Sequence, residues 1–293
     1  VDMSVTGAGS LSYTNNGTGN GAGSGNNWSS NDTVNFAASG EMDNGWTVSV
    51  GYGLDGSAIN TAGFEDRTLT LGMGSLGSLA FNAQDGSSVT SALDDKMPTA
   101  YEETWFQADG PGNGSGANNM FNYSNTEVDG VNIMISHTPN GGAELDSSTD
   151  FGVIYTGTEG VTVGLAMGQD AGAGASAEVD NNVMYATYAM DAFTFGIQKN
   201  ESDSEVANAD EDYIAYAISY AVNDDLSVSY GYSEIDYEGS SELTDKSQEA
   251  TAVSASYTMG SMAFAITRSD VDNDSGNAAW DGAGYEANVV FSF

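Results

Sequence analysis

VSASYTMGSMAFAI, residues 253–266, is the stretch from which the fold of this chain can be worked out. Apolar side chains occupy every second position on both sides of Gly260-Ser261, the pattern of two antiparallel strands joined by a two-residue hairpin turn. The positions between them carry only Ser, Thr and Ala. A soluble sheet turns its large side chains towards the protein interior, so the pattern raises the question of which face is the inside.

The same period-two pattern runs through all 293 residues and predicts sixteen strands, and no helical period competes with it for more than a turn. The connections alternate between short turns and longer loops. Strict alternation places the short turns at one end of the sheet and the long loops at the other, as in outer-membrane barrels. The predicted strands are 1–13, 31–42, 46–54, 64–74, 78–84, 119–125, 131–139, 148–157, 161–170, 181–190, 193–202, 210–222, 226–237, 248–259, 262–272 and 280–293.

The composition of the two strand faces decides which one is the inside. Val48, Val50 and Tyr52 share one parity, whereas Ser49 and Gly51 share the other, and most strands repeat this division. Ser, Gly and Ala side chains cannot fill a sixteen-strand barrel. If the apolar set faces lipid instead, the closed sheet pairs every backbone group and the polar set lines water. The sequence therefore predicts an all-β chain that forms a 16-stranded antiparallel transmembrane β-barrel, with residues 1–293 as one domain.

The predicted strand 181–190 is an exception to this division. Tyr185 and Tyr188 lie on opposite parities, so the phase of the strand is weak and its faces are left unassigned.

The charge of the chain is extreme, with 42 Asp and Glu against 5 Lys and Arg and a net charge of −37. Such a chain repels nucleic acid and attracts cations such as Ca²⁺. The absence of Cys excludes disulfides and thiolate metal sites. A secreted acidic calcium-binding structural or surface-layer β-protein would share the acidity and the glycine content, and it is the alternative, although it would not need lipid-facing bands.

One acidic stretch has a spacing that is typical of calcium loops. Asp270, Asp272 and Asp274 form a D-x-D-x-D pattern, but Gly276 comes one place late and Asp281 stands where the loop normally has Glu. We therefore consider both a calcium site and a solvated acidic loop. No other cofactor is required by the sequence.

The sequence gives little support for an enzyme. His137, the single histidine, shares the outward parity of Ile133 and Ile135 and is expected at the rim of the barrel. A barrel hydrolase would need this histidine beside a nucleophile. The prediction is that the chain is not an enzyme.

Sixteen alternating strands, long–short connections, a very long third loop and a final strand YEANVVFSF (285–293) together resemble a general porin of Gram-negative bacteria, of the alphaproteobacterial type. The resemblance covers the whole chain. It implies a passive diffusion channel for small hydrophilic solutes in the outer membrane, with short turns on the periplasmic side, long extracellular loops and a third loop that folds inward and narrows the pore. It also implies a homotrimer, and an assembly signal carried by the last strand through Tyr285, Val289, Phe291 and Phe293.

The third long loop, residues 85–118, is strongly acidic, and its apolar residues could pack against the inner wall. An infolded loop of this composition places negative charge at the narrowest point, whereas a solvated external loop would not. General porins usually oppose this loop with basic wall residues, and the sequence contains no such cluster. The combination predicts a preference for cations. The predicted pore-constriction residues are Asp85, Asp94, Asp95, Lys96, Glu102, Glu103 and Asp109.

Three basic residues share the parity of outward-facing neighbours, namely Arg67, Lys199 and Arg268. At the rim they would extend towards lipid head groups or lipopolysaccharide phosphates. A salt bridge at the rim or at a trimer interface is the competing interpretation.

Overall fold

The described part of the chain is almost entirely β-sheet. The computed structural model describes residues 1–15, 27–55, 64–114, 116–139, 147–171, 178–239 and 246–293. Most of the predicted loops 14–30, 55–63, 140–147, 171–180 and 238–247 therefore lies outside the described residues. The strands are β1 Asp2–Asn15, β2 Trp28–Glu41, β3 Thr47–Asp55, β4 Phe64–Gly72, β5 Ser78–Gln84, β6 Gly86–Ser87, β7 Gly116–Ala117, β8 Met120–Asn125, β9 Val131–Thr138, β10 Ser148–Thr158, β11 Val161–Asp170, β12 Val179–Met190, β13 Phe193–Ser204, β14 Glu211–Ala221, β15 Leu226–Tyr237, β16 Ser247–Met259, β17 Met262–Asp272 and β18 Gly282–Ser292.

Sixteen of these strands form one closed barrel, in which each strand pairs antiparallel with its neighbours along the chain and β1 pairs with β18. The other two, β6 and β7, pair with each other inside the third long loop. The predicted fold class is confirmed, and every predicted strand is present with its ends moved by a few residues. No helix in the described residues is long and apolar enough to cross a membrane.

The exposure of the side chains answers the question raised by residues 253–266. Val253 is 57% exposed on the outer surface, whereas its neighbour Ser254 is 2% exposed and points inward. Across the turn, Phe264 and Ile266 are exposed and Thr267 is fully buried. Met259 pairs with Met262 around Gly260, whose φ of 63° suits the first position of a two-residue hairpin turn. The apolar face is therefore the outside of the barrel, and the small polar face is the inside.

The strand with the weak phase, β12, carries an aromatic residue on each face. Tyr188 is exposed on the outer surface, whereas Tyr185 is buried inside the barrel against Val89 and Leu93 of the third long loop. Tyr185 also covers Gly164 of the neighbouring strand, where a Cβ atom would lie 2.0 Å from its ring. The inward tyrosine therefore has a partner that is remote in sequence.

The barrel closes where its last residue meets its first strand. The backbone N–H of Gly7 donates to the carbonyl of Phe293 at 2.8 Å, and the N–H of Phe293 donates to the carbonyl of Gly7 at 2.9 Å. A Cβ atom on Gly7 would lie 2.7 Å from the Phe293 ring. Glycine at position 7 therefore leaves room for the Phe293 ring at the seam, as in the aromatic rescue of glycine in sheets.

We expect Gly7→Val to reduce the fraction of chains that fold into a closed barrel. The new side chain displaces the Phe293 ring, and overpacking of this kind costs about 1–3 kcal/mol. The measurement is the heat-modifiable band in electrophoresis after refolding into detergent. Gly9→Val is the matched control, because a Cβ atom at Gly9 meets nothing within 4 Å. Equal losses in the two variants would contradict the role of the seam.

Candidate pore constriction

The third long loop lies inside the barrel. Its two ends are held together at the neck, where Gly86–Ser87 pairs with Gly116–Ala117. A short helix, α1 Val89–Leu93, follows the neck, and the side chain of its N-cap Ser88 accepts a hydrogen bond from Ser91 N–H. The helix lies on the inner wall, since Val89 and Leu93 are buried in one cluster with residues of β11 and β12.

A buried carboxylate on the barrel wall anchors the first turn of α1. Asp150 of β10 is 1% exposed, and its Oδ2 accepts hydrogen bonds from Thr90 N–H at 3.0 Å and from Thr90 Oγ1 at 2.5 Å. Beside it, Val89 N–H donates to Ser136 Oγ of β9 at 2.9 Å. The wall therefore satisfies N–H groups at the start of the helix, which would otherwise lack partners.

The chain that follows α1 is anchored by amide side chains of β13. Gln198 Oε1 accepts from Lys96 N–H at 2.8 Å, and Gln198 Nε2 donates to the carbonyl of Leu93 at 2.9 Å. Asn200 Nδ2 donates to the carbonyl of Asp94 at 2.8 Å. These bonds hold the loop backbone on either side of Asp94 and Asp95, and so fix where the two carboxylates lie.

The loop continues around the inner wall and then returns. Ala100 N–H donates to Ser229 Oγ of β15 at 2.8 Å, and Glu102 N–H donates to Thr267 Oγ1 of β17 at 3.3 Å. On the return, Gln248 Nε2 of β16 donates to the carbonyl of Asp109 at 2.8 Å. The loop thus lines the inside of the barrel from β9 to the last strands and narrows the lumen from that side.

The structure brings together four of the six predicted constriction acids. Asp94 and Asp95 follow α1 directly, and Asp95 borders the same cavity of about 20 Å³ as Glu102 and Glu103, between the loop and the inner wall. That volume is enough for about one water molecule. These four form the acidic zone, defined as Asp94, Asp95, Glu102 and Glu103.

The remaining predicted constriction residues lie elsewhere on the loop. Asp85 stands at the neck, where its N–H donates to Asn118 Oδ1 at 3.3 Å, and Asp109 accepts from Ser275 Oγ at 2.8 Å above β17. Lys96 is exposed beside the acidic zone.

The acidic zone is partly buried in the loop, outside the membrane-spanning strands, and this changes its proton affinity. Burial raises the pKa of Asp94 to about 7, against the lowering effect of Lys96. Burial also raises the pKa of Asp95, and the neighbouring Glu103 raises it further. The pKa of Glu102 is raised by burial, then by Glu103 and Glu286. The charge of the loop therefore changes near neutral pH.

We expect the ratio of cation to anion permeability to rise between about pH 6 and about pH 8. The pKa of Asp94 in the folded protein, about 7, lies above its ordinary value of 3.8, so the protonated form is favoured when the loop is docked. The stability that protonated Asp94 contributes to the docked loop is complete below pH 3.8 and is lost as the pH rises to about 7. The negative charge of Asp94 appears over the upper part of that range. The measurement is the reversal potential in a KCl gradient. Asp94→Asn should flatten the pH dependence, and a ratio that rises towards acid pH would contradict the assignment.

The wall that faces the loop across the lumen is polar and uncharged at mid-height. At mid-height the inward positions of β1 to β5 carry Ser, Thr, Asn and small residues, whereas the inward Asp66 lies near the loop end of β4, next to Gly53. Thr68 Oγ1 donates to Asn82 Oδ1 at 2.9 Å, and Asn82 Nδ2 donates to Asn122 Oδ1 at 2.7 Å. This ladder of amides and hydroxyls runs across three neighbouring strands.

None of the five basic residues of the chain lies on an inward strand position. Arg67, Lys199 and Arg268 are exposed on outward positions of their strands. Lys96 belongs to the loop, and Lys246 directly precedes β16. The strands therefore offer no basic cluster opposite the acidic zone.

Two of the outward basic residues form ion pairs on the outer surface. Lys199 Nζ pairs with Glu201 Oε1, and Arg268 Nη2 lies 2.8 Å from Asp270 Oδ1. Both pairs are solvent-exposed and so contribute little to stability. The rim salt bridge that was one alternative is thus present, while contact of Arg67, Lys199 and Arg268 with lipid or lipopolysaccharide stays a prediction.

The three carboxylates of the calcium-like spacing do not converge. Asp270 is paired with Arg268 on the outer surface, and Asp272 is exposed. Asp274 is buried in a 3₁₀ turn, where its Oδ1 accepts from Ser275 Oγ at 3.0 Å. Within the described ranges no group of three Asp, Glu, His or Cys residues could hold a metal ion. Calcium binding stays a prediction that the geometry of these residues does not support.

His137 takes the outward position that its parity predicts. It lies in β9 next to Ser136, which points inward, and its Nδ1 is 2.9 Å from Thr149 Oγ1 of β10. The lumen therefore receives no imidazole from this position.

The wall anchors Asp150 and Gln198 were missed by the sequence analysis. The available signal was their position, since each is a large polar residue at an inward site where most strands carry Ser, Gly or Ala. An inward Asp or Gln among small residues indicates a partner inside the lumen.

A closed barrel with an apolar exterior, a polar interior and an infolded loop is the architecture of an outer-membrane diffusion channel. The family profile of the Gram-negative porins matches residues 1–242 and 170–293. The chain belongs to this family, and it is a channel protein of the bacterial outer membrane.

Solved structures show the same fold at low sequence identity. An anion-selective porin from Comamonas acidovorans matches with a TM-score of 0.73, 14% identity and complete coverage of both chains. A triple mutant of the Rhodopseudomonas blastica porin matches with a TM-score of 0.73, 15% identity and complete coverage of both chains. OmpF of Salmonella typhi, in complex with daunomycin, matches with a TM-score of 0.76 and 13% identity over 99% of this chain and 97% of that chain. A comparison with curated proteins finds no match.

Proposed function

We propose that this porin is a passive channel for small hydrophilic solutes and ions with a preference for cations. The observation that carries the proposal is the charge distribution inside the barrel. Four carboxyl groups gather on the infolded loop, and none of the five basic residues lies on an inward strand position. Negative charge within a low-dielectric wall raises the local concentration of cations and repels anions.

The fold alone does not decide the ion preference. The porin from Comamonas acidovorans is described as anion-selective and has the same architecture at 14% identity. The preference must therefore come from the side chains that line the lumen. In this chain those side chains are acidic on the loop and uncharged on the facing wall at mid-height, and the inward Asp66 nearer the loop end adds further negative charge.

The test is planar-bilayer recording of the purified porin in a KCl gradient at about pH 8, where the acidic zone is ionised. We expect a reversal potential whose sign shows that K⁺ crosses more readily than Cl⁻. A reversal potential with the opposite sign would contradict the proposal. Liposome swelling with sugars of increasing size then gives the size limit for neutral solutes.

We also propose that three copies associate, as the resemblance implies. The support for this proposal is the resemblance to the general porins, whose barrels associate as homotrimers. The test is the mass of the detergent-solubilised, unheated protein. A trimer should have three times the mass of the 30.2 kDa chain, and a monomeric mass would contradict the proposal.

A further inference from the structure

The last strand holds the tip of the third long loop through one tyrosine. Tyr101 Oη donates to Glu286 Oε1 at 2.9 Å and accepts from Asn288 Nδ2 at 2.8 Å. Glu286 and Asn288 occupy inward positions of β18, between outward residues such as Tyr285 and Phe291. The strand with the predicted assembly signal on its outer face therefore also contacts the loop with its inner face.

Glu286 lies beside the acidic zone. Its Cα partner in β17 is Thr267, and Thr267 Oγ1 accepts the hydrogen bond from Glu102 N–H at 3.3 Å. Glu102 is thus seated one strand away from Glu286. The two groups also interact electrostatically, because the charge of Glu286 contributes to the raised pKa of Glu102.

We propose that Glu286 is a specificity-determining residue of the pore and that, through Tyr101, it also positions the loop tip. The negative region then extends from the loop onto the barrel wall. This inference rests on the proposed cation preference and adds to it a residue on the last strand. The period-two pattern places Glu286 on the inward face of the last strand, but it gives no sign of the contact with the third long loop.

The two roles can be separated by substitution. Glu286→Gln removes the charge and keeps an amide oxygen that can accept the hydrogen bond from Tyr101 Oη. Tyr101→Phe removes the hydroxyl and keeps the charge of Glu286. Glu286→Asp keeps the charge with a shorter reach and serves as the conservative variant.

We expect Glu286→Gln to lower the ratio of K⁺ to Cl⁻ permeability by about twofold to fivefold at low salt and about pH 8, since one charge acts on ions in a narrow aqueous passage. Single-channel conductance noise should change little, and Glu286→Asp should restore most of the ratio. Tyr101→Phe should keep the ratio and increase the open-channel noise, because the loop tip loses two hydrogen bonds. Each variant is first checked for the heat-modifiable folded form.

Glu249→Gln is the matched control. It removes the same charge from an outward position of β16, opposite Asp272 in the sheet, and should leave the ratio unchanged. The inference is overturned if Glu286→Gln has no effect on the ratio, if Glu249→Gln lowers it equally, or if Tyr101→Phe leaves the noise unchanged. A wild-type porin without cation preference would instead overturn the proposed function.

Discussion

Replacing Asp94 and Asp95 by Asn and Glu102 and Glu103 by Gln in one variant is expected to lower the ratio of cation to anion permeability by about tenfold. In water, one unit charge about 4 Å from an ion contributes about 1 kcal/mol, and the four carboxyl groups lie on the same side of the passage. The measurement is the reversal potential in a KCl gradient at about pH 8. At this pH Asp94 is mostly ionised, because its pKa is about 7.

The control for this variant removes negative charge from the same loop at a distance from the acidic zone. Asp85→Asn with Asp109→Asn acts at the neck and near β17, so its effect on the ratio should be clearly smaller. If this double variant lowers the ratio of cation to anion permeability as much as the fourfold variant does, the selectivity arises from the charge of the whole mouth of the pore. An unchanged ratio in the fourfold variant would remove the acidic zone from the permeation path.

The fold could be predicted because a barrel is built from pairing between neighbouring strands. Each strand needs only alternating outward and inward side chains and a turn at its end, and both features are local in sequence. Val253 and Ser254 show the alternation, and Gly260 shows the turn. Which face of the sheet lines the lumen could be predicted from side-chain volume, because side chains such as Ser254 are too small to fill the lumen. The inward position of Tyr185 could not be predicted, because its partners Val89 and Leu93 are distant in sequence.

The acids of the constriction could be found from loop length and composition, but their arrangement could not. The docked path of the loop depends on wall groups such as Asp150, Gln198 and Glu286, which are brought together only when the barrel closes. The carboxylates of the calcium-like spacing do not converge for a related reason. Asp270 and Asp272 belong to a strand, where alternate residues point to the same outer face instead of around an ion.

Asp150→Ala is expected to release the start of the third long loop and to widen the pore. The substitution removes the acceptor for Thr90 N–H and Thr90 Oγ1, both of which are buried at this contact. An unpaired buried donor costs about 1–3 kcal/mol, so the population with α1 undocked should rise by roughly fivefold to 150-fold. We expect a larger and noisier single-channel conductance and faster liposome swelling with sugars near the size limit.

A second substitution at this contact tests whether the change in the pore comes from the docking of α1 on Asp150. Thr90→Ala removes one of the two donors, and adding it to Asp150→Ala should cost less than the sum of the single changes, because the two residues share one interaction. Asp180→Ala, on an exposed position of β12, removes an equal charge and should leave conductance and swelling unchanged.

Additive effects of the Thr90 and Asp150 substitutions, or an unchanged pore in Asp150→Ala, would show that the loop is held by other contacts. In that case the cluster of Val89, Leu93 and Tyr185 would be the main anchor, since apolar burial there does not depend on the carboxylate.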